Sequence, residues 1–332
     1  LSTTLSLGKG ILSHPTTDDM LMKNKLVTLI GGGGFVGRYA AQALLHAGAR
    51  IRVAQRDPRQ AWHLKPLAAI GQMQLVAADV GRPDTILRAV QGADAVVNLV
   101  GVLSGDFQRA HVDGARAVAE SAARAGVEAL VHVSAIGADA NAASAYGRSK
   151  GQGEAAVREA FPNATILRPS IVFGREDAFV NRFAGMIEKA PVVPVLRGGT
   201  RFQPVFAGDV GAAVLAAVQE PGRFGGHIYE LGGPDVLSMK ALLRWIANEI
   251  DRSPHFLDLP DSLGALLAKL PGTPITTDQW QMLGRDNVVG QGVEGLSALG
   301  VTATPMAAVA PEWLVRFRKQ GRFGRRSREQ AA

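Results

Sequence analysis

The sequence predicts an α/β protein: a Rossmann-type doubly wound parallel sheet with a smaller C-terminal α+β lobe. Short apolar runs alternate with helical stretches through the first half of the chain, as parallel strands joined by crossover helices require. A glycine-rich turn sits where the first strand meets the first helix. After Arg168 the alternation loosens and prolines and glycines multiply.

Residues 26–30 are an apolar strand, Gly31-Gly-Gly-Gly34 breaks it, residues 35–47 have a helical pattern, and a strand at 49–55 closes a βαβ unit. Glycines let the backbone approach a pyrophosphate and leave the amides at the helix N-terminus free to donate to it. Gly32, Gly34 and Gly37 fit GxGxxG, while Gly31, Gly34 and Gly37 fit GxxGxxG. Further strands are expected at 73–77, 95–100, 129–134 and 164–167, and helices at 60–70, 83–91, 107–125 and 145–161. In the later part, Asp209 is expected to cap a helix running to about residue 219, and 227–231 is a strand able to return to the main sheet. This divides the chain into a disordered leader (1–22), a dinucleotide-binding domain (23–170, completed by strands from 201–232), a docking or substrate lobe (171–317) and a basic tail (318–332).

Composition narrows the function. The 332 residues are 47 % hydrophobic and 20 % charged, as in ordinary globular proteins. No apolar run approaches the ~18 residues of a membrane span. Zero cysteines exclude disulfides, thiolate metal sites and a cysteine nucleophile, and the seven histidines show no close helical pairing, so no metal is expected. The net charge of +7 is concentrated in Arg316, Arg318, Lys319, Arg322, Arg325, Arg326 and Arg328, with Phe317 and Phe323 interleaved. That pattern suits anionic lipid or an acidic partner, and no nucleic-acid-binding motif accompanies it. Leu263, Leu266, Leu267 and Leu270 have the spacing of a helix packed on a core, and residues 313–317 are a second apolar segment.

Tyr146 and Lys150 lie four residues apart, hence on one helix face just after the fifth strand. A nearby ammonium favours phenolate and so lowers a tyrosine pKa toward the range of a general acid or base. Ser134 ends the fifth strand as a candidate third group, but Ala135 follows where a catalytic hydroxyl is usual, and the set reads as incomplete. Beyond the second strand, Gln55 and Arg56 precede Asp57; a cation there favours the 2′-phosphate of NADPH, and Asp57 keeps NADH as the alternative. Asp79 and Val80 follow the third strand, and Asn98 to Gly101 end the fourth, where backbone passes beside a bound dinucleotide.

The glycine turn, Asp79, the run Asn98-Leu-Val-Gly101, Tyr146/Lys150 and Leu167-Arg-Pro-Ser-Ile-Val-Phe-Gly174 resemble an atypical or extended short-chain dehydrogenase/reductase. Val131-His-Val-Ser134, Phe173-Gly-Arg-Glu-Asp177, Pro204-Val205, Asp209-Val210 and Leu299-Gly-Val-Thr-Ala-Thr-Pro305 narrow this to the NAD(P)H-binding accessory subunit family of respiratory complex I. The resemblance runs from about Lys25 to Phe317. It implies a peripheral subunit on the cytoplasmic face of a bacterial inner membrane or the mitochondrial matrix face, in contact with other complex I subunits. It also implies NADPH held at Gly31, Gly34, Phe35, Val36, Gly37, Arg56, Asp79, Val80, Asn98, Val100, Gly101, Tyr146, Lys150, Pro169 and Ile171, without turnover. The alternatives are an NAD(P)-dependent reductase or sugar-nucleotide epimerase/dehydratase using Tyr146, Lys150 and Ser134, and a sensor of the NADP(H) ratio.

Overall fold

The computed structural model describes residues 22–270, 275–319 and 321. β1 (Leu26–Ile30), β2 (Arg50–Gln55), β3 (Met73–Ala77), β4 (Ala95–Asn98), β5 (Ala129–Val133) and β6 (Thr165–Pro169) form the parallel sheet expected from their spacing. A seventh strand, β11 (Ile228–Leu231), joins β6 in parallel, giving the order β11-β6-β5-β4-β1-β2-β3. The order reverses between β1 and β4, and ligands of open α/β sheets bind in the crevice outside the carboxyl ends of strands at such a point.

Both faces of the sheet are covered, so its strands are apolar on both sides. α1 (Phe35–His46) and α6 (Ala207–Gln219) bury one face, with Leu44, Val53, Val97, Val131, Leu167 and Val214 in its core. The other face packs Val96, Leu130 and Ile166 against Ile86 of α2 (Pro83–Val90), Val118 of α3 (Gly114–Ala125) and Val157 of α4 (Ala145–Ala160). α6 and β11 therefore return to the main sheet from a sequence region that otherwise builds the second lobe.

That lobe gathers α5 (Val180–Lys189), α7 (Met239–Glu249) and three two-stranded ribbons. β7 (Val172–Phe173) pairs with β10 (Val205–Phe206), β8 (Val192–Leu196) with β13 (His255–Leu259), and β9 (Arg201–Phe202) with β12 (Leu237–Ser238). Phe173, Val193, Val195, Leu242, Ile246 and Trp313 form its core. Two short helices, α8 (Asp261–Leu267) and α9 (Thr277–Met282), follow the last strand.

Several local expectations are corrected. The stretch expected as a helix at 60–70 is a 3₁₀ segment, Pro58–Leu67, capped by Asp57 and ended at Pro66 and Leu67. The helix expected at 107–125 opens with a π turn at Gln108–Asp113, which brings the His111 carbonyl against Gly153 of α4, where a Cβ would stand 2.1 Å from that oxygen. Asp209 lies inside the first turn of α6, and its carboxylate accepts from the Thr304 N–H (2.7 Å) and Oγ1 (2.8 Å), fastening the C-terminal segment. Leu263, Leu266 and Leu270 are 41 %, 56 % and 49 % exposed; the periodicity marks an apolar face but not what covers it. The helix instead packs through Gly264, on which a Cβ would stand 2.5 Å from the Trp280 ring. Trp313 and Leu314 are core residues. Arg318, assigned to the tail, is anchored: its Nε donates to the Glu249 carbonyl at 2.7 Å and its Nη2 lies 3.5 Å from the Glu249 carboxylate. The leader up to Leu21 and the tail beyond Gly321 lie outside the described residues, whereas Met22, assigned to the leader, is buried in the core beside the sheet.

The sheet is tied to α4 by Arg168, whose guanidinium makes a bidentate pair with buried Glu154 (2.7 and 2.9 Å) and reaches Glu230 at 3.4 Å. Removing one partner of a buried pair strands the other charge. Arg168→Ala is expected to lower the unfolding free energy by about 3 kcal/mol in urea denaturation, and an unchanged midpoint would contradict this anchoring.

Candidate functional site

In-register pairing aligns Ile30 of β1 with Ala54 of β2 and with Asn98 of β4. The loops after these strands consequently converge at one edge of the sheet. Gly31 has φ +75°, a left-handed conformation that suits glycine, and its N–H donates to the Ala54 carbonyl at 2.8 Å. Gly34 caps α1 without a side-chain hydrogen bond, and the first intrahelical bond there runs from the Arg38 N–H to the Gly34 carbonyl. The N–H groups of Phe35, Val36 and Gly37 thus precede the helical ladder and point from the positive end of the helix dipole. Gly37 crosses the turn so closely that a Cβ would stand 2.3 Å from the Gly32 carbonyl oxygen. The Phe35 ring leaves this cradle: it meets Tyr39 edge-on at 5.7 Å and rests against Gly174.

The adjacent strand ends supply polar groups of different availability. Gln55 accepts from the Gly33 N–H at 3.0 Å and donates to the Asp57 carbonyl at 2.8 Å, bracing the turn. Arg56 is exposed and its side chain makes no hydrogen bond or ion pair among the described residues. Asp57, the residue that kept NADH in contention, is engaged: it caps the 3₁₀ segment through the Arg59 N–H and chelates the Arg59 guanidinium at 3.0 and 3.1 Å. Asp79 accepts from the Gly81 N–H at 2.9 Å and lies 3.5 Å from the Arg109 guanidinium. Val80 packs on Gly114, Val100 packs over Gly31, and a Cβ on Gly101 would meet open space among the described residues. Asn98 is turned into the protein, with its oxygen accepting from the Val100 N–H (3.1 Å) and its amide nitrogen donating to His132 Nδ1 (3.1 Å).

Tyr146 and Lys150 share one face of α4, as their spacing requires. Their electrostatics differ from the expectation. Burial pushes the Tyr146 phenol up to about 12, and the Lys150 ammonium does not bring it down. Lys150 is 3 % exposed and donates to the Val133 carbonyl at 2.9 Å; desolvation lowers its own pKa to about 8. Ser134 is buried, and its Oγ has no hydrogen-bond partner among the described residues. Pro169 accepts from the Ile136 N–H at 3.0 Å, and the Ile171 N–H donates to Asn287 Oδ1 at 3.0 Å.

Three residues absent from the sequence reading shape this region. His111 meets the Tyr146 ring edge-on at 5.5 Å; it accepts from the Val102 N–H at Nε2 (3.0 Å), so its proton sits on Nδ1, facing Ser149 Oγ at 2.8 Å. Asn287 accepts from Ser170 Oγ (2.7 Å) and the Ile171 N–H, closing the loop after β6. Asp278 caps α4 from the second lobe. All three act through contacts distant in sequence, and only the buried Asp of Phe173-Gly-Arg-Glu-Asp177, whose carboxylate accepts from the Gly174, Val180 and Asn181 N–H groups, had been part of a recognisable run.

Gly37→Ala is expected to abolish detectable dinucleotide binding in a fluorescence titration, since the methyl group can fit only if the turn opens. Desolvation also holds His111 at about 4 and His132 well below its ordinary value of 6.5, so both stay neutral in the fold while the unfolded chain takes up protons from pH 6.5 downward. For His111, stability is therefore expected to fall between pH 6.5 and 4 by about 1.4 kcal/mol per pH unit at most, and His132 adds to the fall in the same direction. Urea unfolding of His111→Gln is expected to show a shallower slope; an unaltered slope would contradict the assignment.

Residues 27–232 match the NAD dependent epimerase/dehydratase family. The mouse protein "NADH dehydrogenase [ubiquinone] 1 alpha subcomplex subunit 9, mitochondrial" is 32 % identical over 324 residues, covering 94 % of this chain and 85 % of its own length. "Ceramide reductase" of Caulobacter vibrioides is 31 % identical over 263 residues, covering 75 % of this chain and 80 % of its own. Among solved structures, the NADPH-dependent quinone oxidoreductase QOR2 of Escherichia coli, complexed with NADPH, superposes with a TM-score of 0.71 at 20 % identity, covering 87 % of this chain and 99 % of that one. At that identity the likeness concerns the fold alone.

Proposed function

Since the chain belongs to the NAD dependent epimerase/dehydratase family, in the branch that includes subunit 9 of the NADH dehydrogenase alpha subcomplex, we propose that it is a peripheral accessory subunit of respiratory complex I that holds NADPH. The observation that carries this reading is the reach of the similarity, which continues past the dinucleotide fold through the second lobe. Its role is structural, without turnover of its own.

The site is suited to such a ligand. A glycine cradle that a single Cβ would fill, free amides at the start of α1 and an unpaired buried Ser134 hydroxyl are features a dinucleotide can satisfy. The amides of residues 35–37 would take the pyrophosphate and Arg56 the 2′-phosphate, with Asp57 already engaged by Arg59. Asp79 and Val80 would border the adenine, Tyr146 and Lys150 the ribose, and Val100, Pro169 and Ile171 the nicotinamide end. Bound there, NADPH would supply a hydride donor. The protein's own groups favour retention over reaction: burial makes the Tyr146 phenol a weaker acid than free tyrosine, so it gives up its proton less readily, and Ala135 stands where a catalytic hydroxyl is usual. The exposed leucines of the second lobe would face other subunits, and the basic tail would meet anionic lipid on the cytoplasmic or matrix face. Among the described residues no helix is long and apolar enough to cross a membrane.

A second reading is favoured by the ceramide reductase relative and by the shared face of Tyr146 and Lys150: reduction of a lipid carbonyl, the carbon taking up hydride and the oxygen taking the Tyr146 proton. Substrate-dependent NADPH oxidation that Tyr146→Phe abolishes would select it.

Affinity purification of the tagged chain from its own cells is expected to recover NADH:ubiquinone oxidoreductase activity, and recovery of the chain free of that complex would overturn the accessory-subunit reading. Arg56→Ala is expected to weaken NADPH binding about tenfold while leaving NADH binding unchanged; equal losses for both would contradict the assignment of Arg56.

A further inference from the structure

The helix that carries Tyr146 is capped from outside its own domain. Ser144 is the N-cap of α4, its Oγ accepting from the Gly147 N–H at 3.0 Å, which leaves the donors of Ala145 and Tyr146 without a local partner. Asp278, at the start of α9, takes both: Oδ1 accepts from the Ala145 N–H at 2.5 Å and Oδ2 from the Tyr146 N–H at 3.3 Å. A carboxylate there also faces the positive end of a 16-residue helix dipole.

Among the described residues of the segment that brings Asp278, the buried apolar ones are Ala268, Ile275 and Trp280, with Arg197 stacked 4.0 Å over the Trp280 ring and donating to the Trp280 carbonyl at 3.1 Å. Its outward face carries the exposed Leu263, Leu266 and Leu270. A few residues further on, Asn287 holds the loop after β6 through Ser170 and Ile171 and donates to the Ile136 carbonyl, after β5, at 3.4 Å. One short stretch of the second lobe thus touches the Tyr146 helix and two more loops at the carboxyl edge of the sheet.

We propose that Asp278 is a positioning residue for Tyr146, through which the seating of the α8–α9 segment and occupancy of the dinucleotide site are thermodynamically linked. The proposal rests on the reading that Tyr146 contacts bound NADPH. Fixing the first turn of α4 holds the phenol in place, and a ligand that selects that placement must stabilise the seated segment by the same factor. Whatever covers the outward leucines would bias the cofactor site by the same route.

Hydrogen exchange of the full chain, with and without saturating NADPH, tests the linkage in the unmodified protein, Asp278→Asn and Asp278→Ala. NADPH is expected to slow exchange at Gly31–Gly37 in all three. At 277–283 it is expected to slow exchange about fivefold in the unmodified protein, less in Asp278→Asn, which keeps one acceptor, and not at all in Asp278→Ala. Undiminished slowing at 277–283 in Asp278→Ala would overturn the linkage. Absence of any slowing at Gly31–Gly37 in the unmodified protein would instead overturn the cofactor reading, and the linkage with it.

If Asp278→Ala does not fold, fluorotyrosine NMR of Asp278→Asn decides. The chain has three tyrosines, so the Tyr146 resonance is identified by its loss in Tyr146→Phe. It is expected to move in Asp278→Asn while those of Tyr39 and Tyr229 stay. A stationary Tyr146 resonance would mean that Asp278 only staples the segment in place.

Discussion

The approach of two backbone segments at the first strand-to-helix turn is the constraint that places the rest of the site. α1 can start where it does because Gly37 passes the Gly32 carbonyl with no side chain between them, and because Gly31 turns in a left-handed conformation. That start aims three amides with no hydrogen-bond acceptor among the described residues across the carboxyl edge of the sheet, at the point where strand order reverses between β1 and β4. Val100 closes over Gly31 and Gln55 braces Gly33, so the neighbouring strands are registered on the same turn. The second lobe reaches it as well: Gly174 admits the Phe35 ring, and Glu176 accepts a hydrogen bond from the Tyr39 hydroxyl at 3.0 Å.

Around that turn, the charged groups divide into those already satisfied and those left open. Asp57, Asp79, Glu154 and Glu230 all have partners within the chain, whereas Arg56 stands exposed without one among the described residues. Lys150 is buried beside two neutral histidines with its ammonium spent on a backbone carbonyl, and Tyr146 is a weaker acid than free tyrosine. The chain belongs to the NAD dependent epimerase/dehydratase family, and its relatives include both a subunit of NADH dehydrogenase and a reductase.

Much of this could be read from the residues. The strands of the main sheet and the glycine turn were legible because they are local: apolar runs of strand length, glycines at fixed offsets, helical spacing between them. The pairing of Tyr146 with Lys150 on one face followed from helix geometry alone. Their acidity did not, since it depends on how deeply α4 is buried and on the Val133 carbonyl that takes the lysine. Asp278 and Asn287 were illegible for a related reason: each acts on backbone groups more than a hundred residues away, and an isolated Asp or Asn in a polar stretch has no local signature. The leucine stripe of α8 shows the limit of periodicity, for it identified an apolar face correctly and its cover wrongly, the true contact being a glycine under Trp280.

The most direct measurement is calorimetric titration of the purified chain, stripped of nucleotide, with NADPH and then NADH. The account predicts one NADPH bound per chain, more tightly than NADH, with the negative heat-capacity change of apolar burial. No heat of binding from either dinucleotide would contradict it.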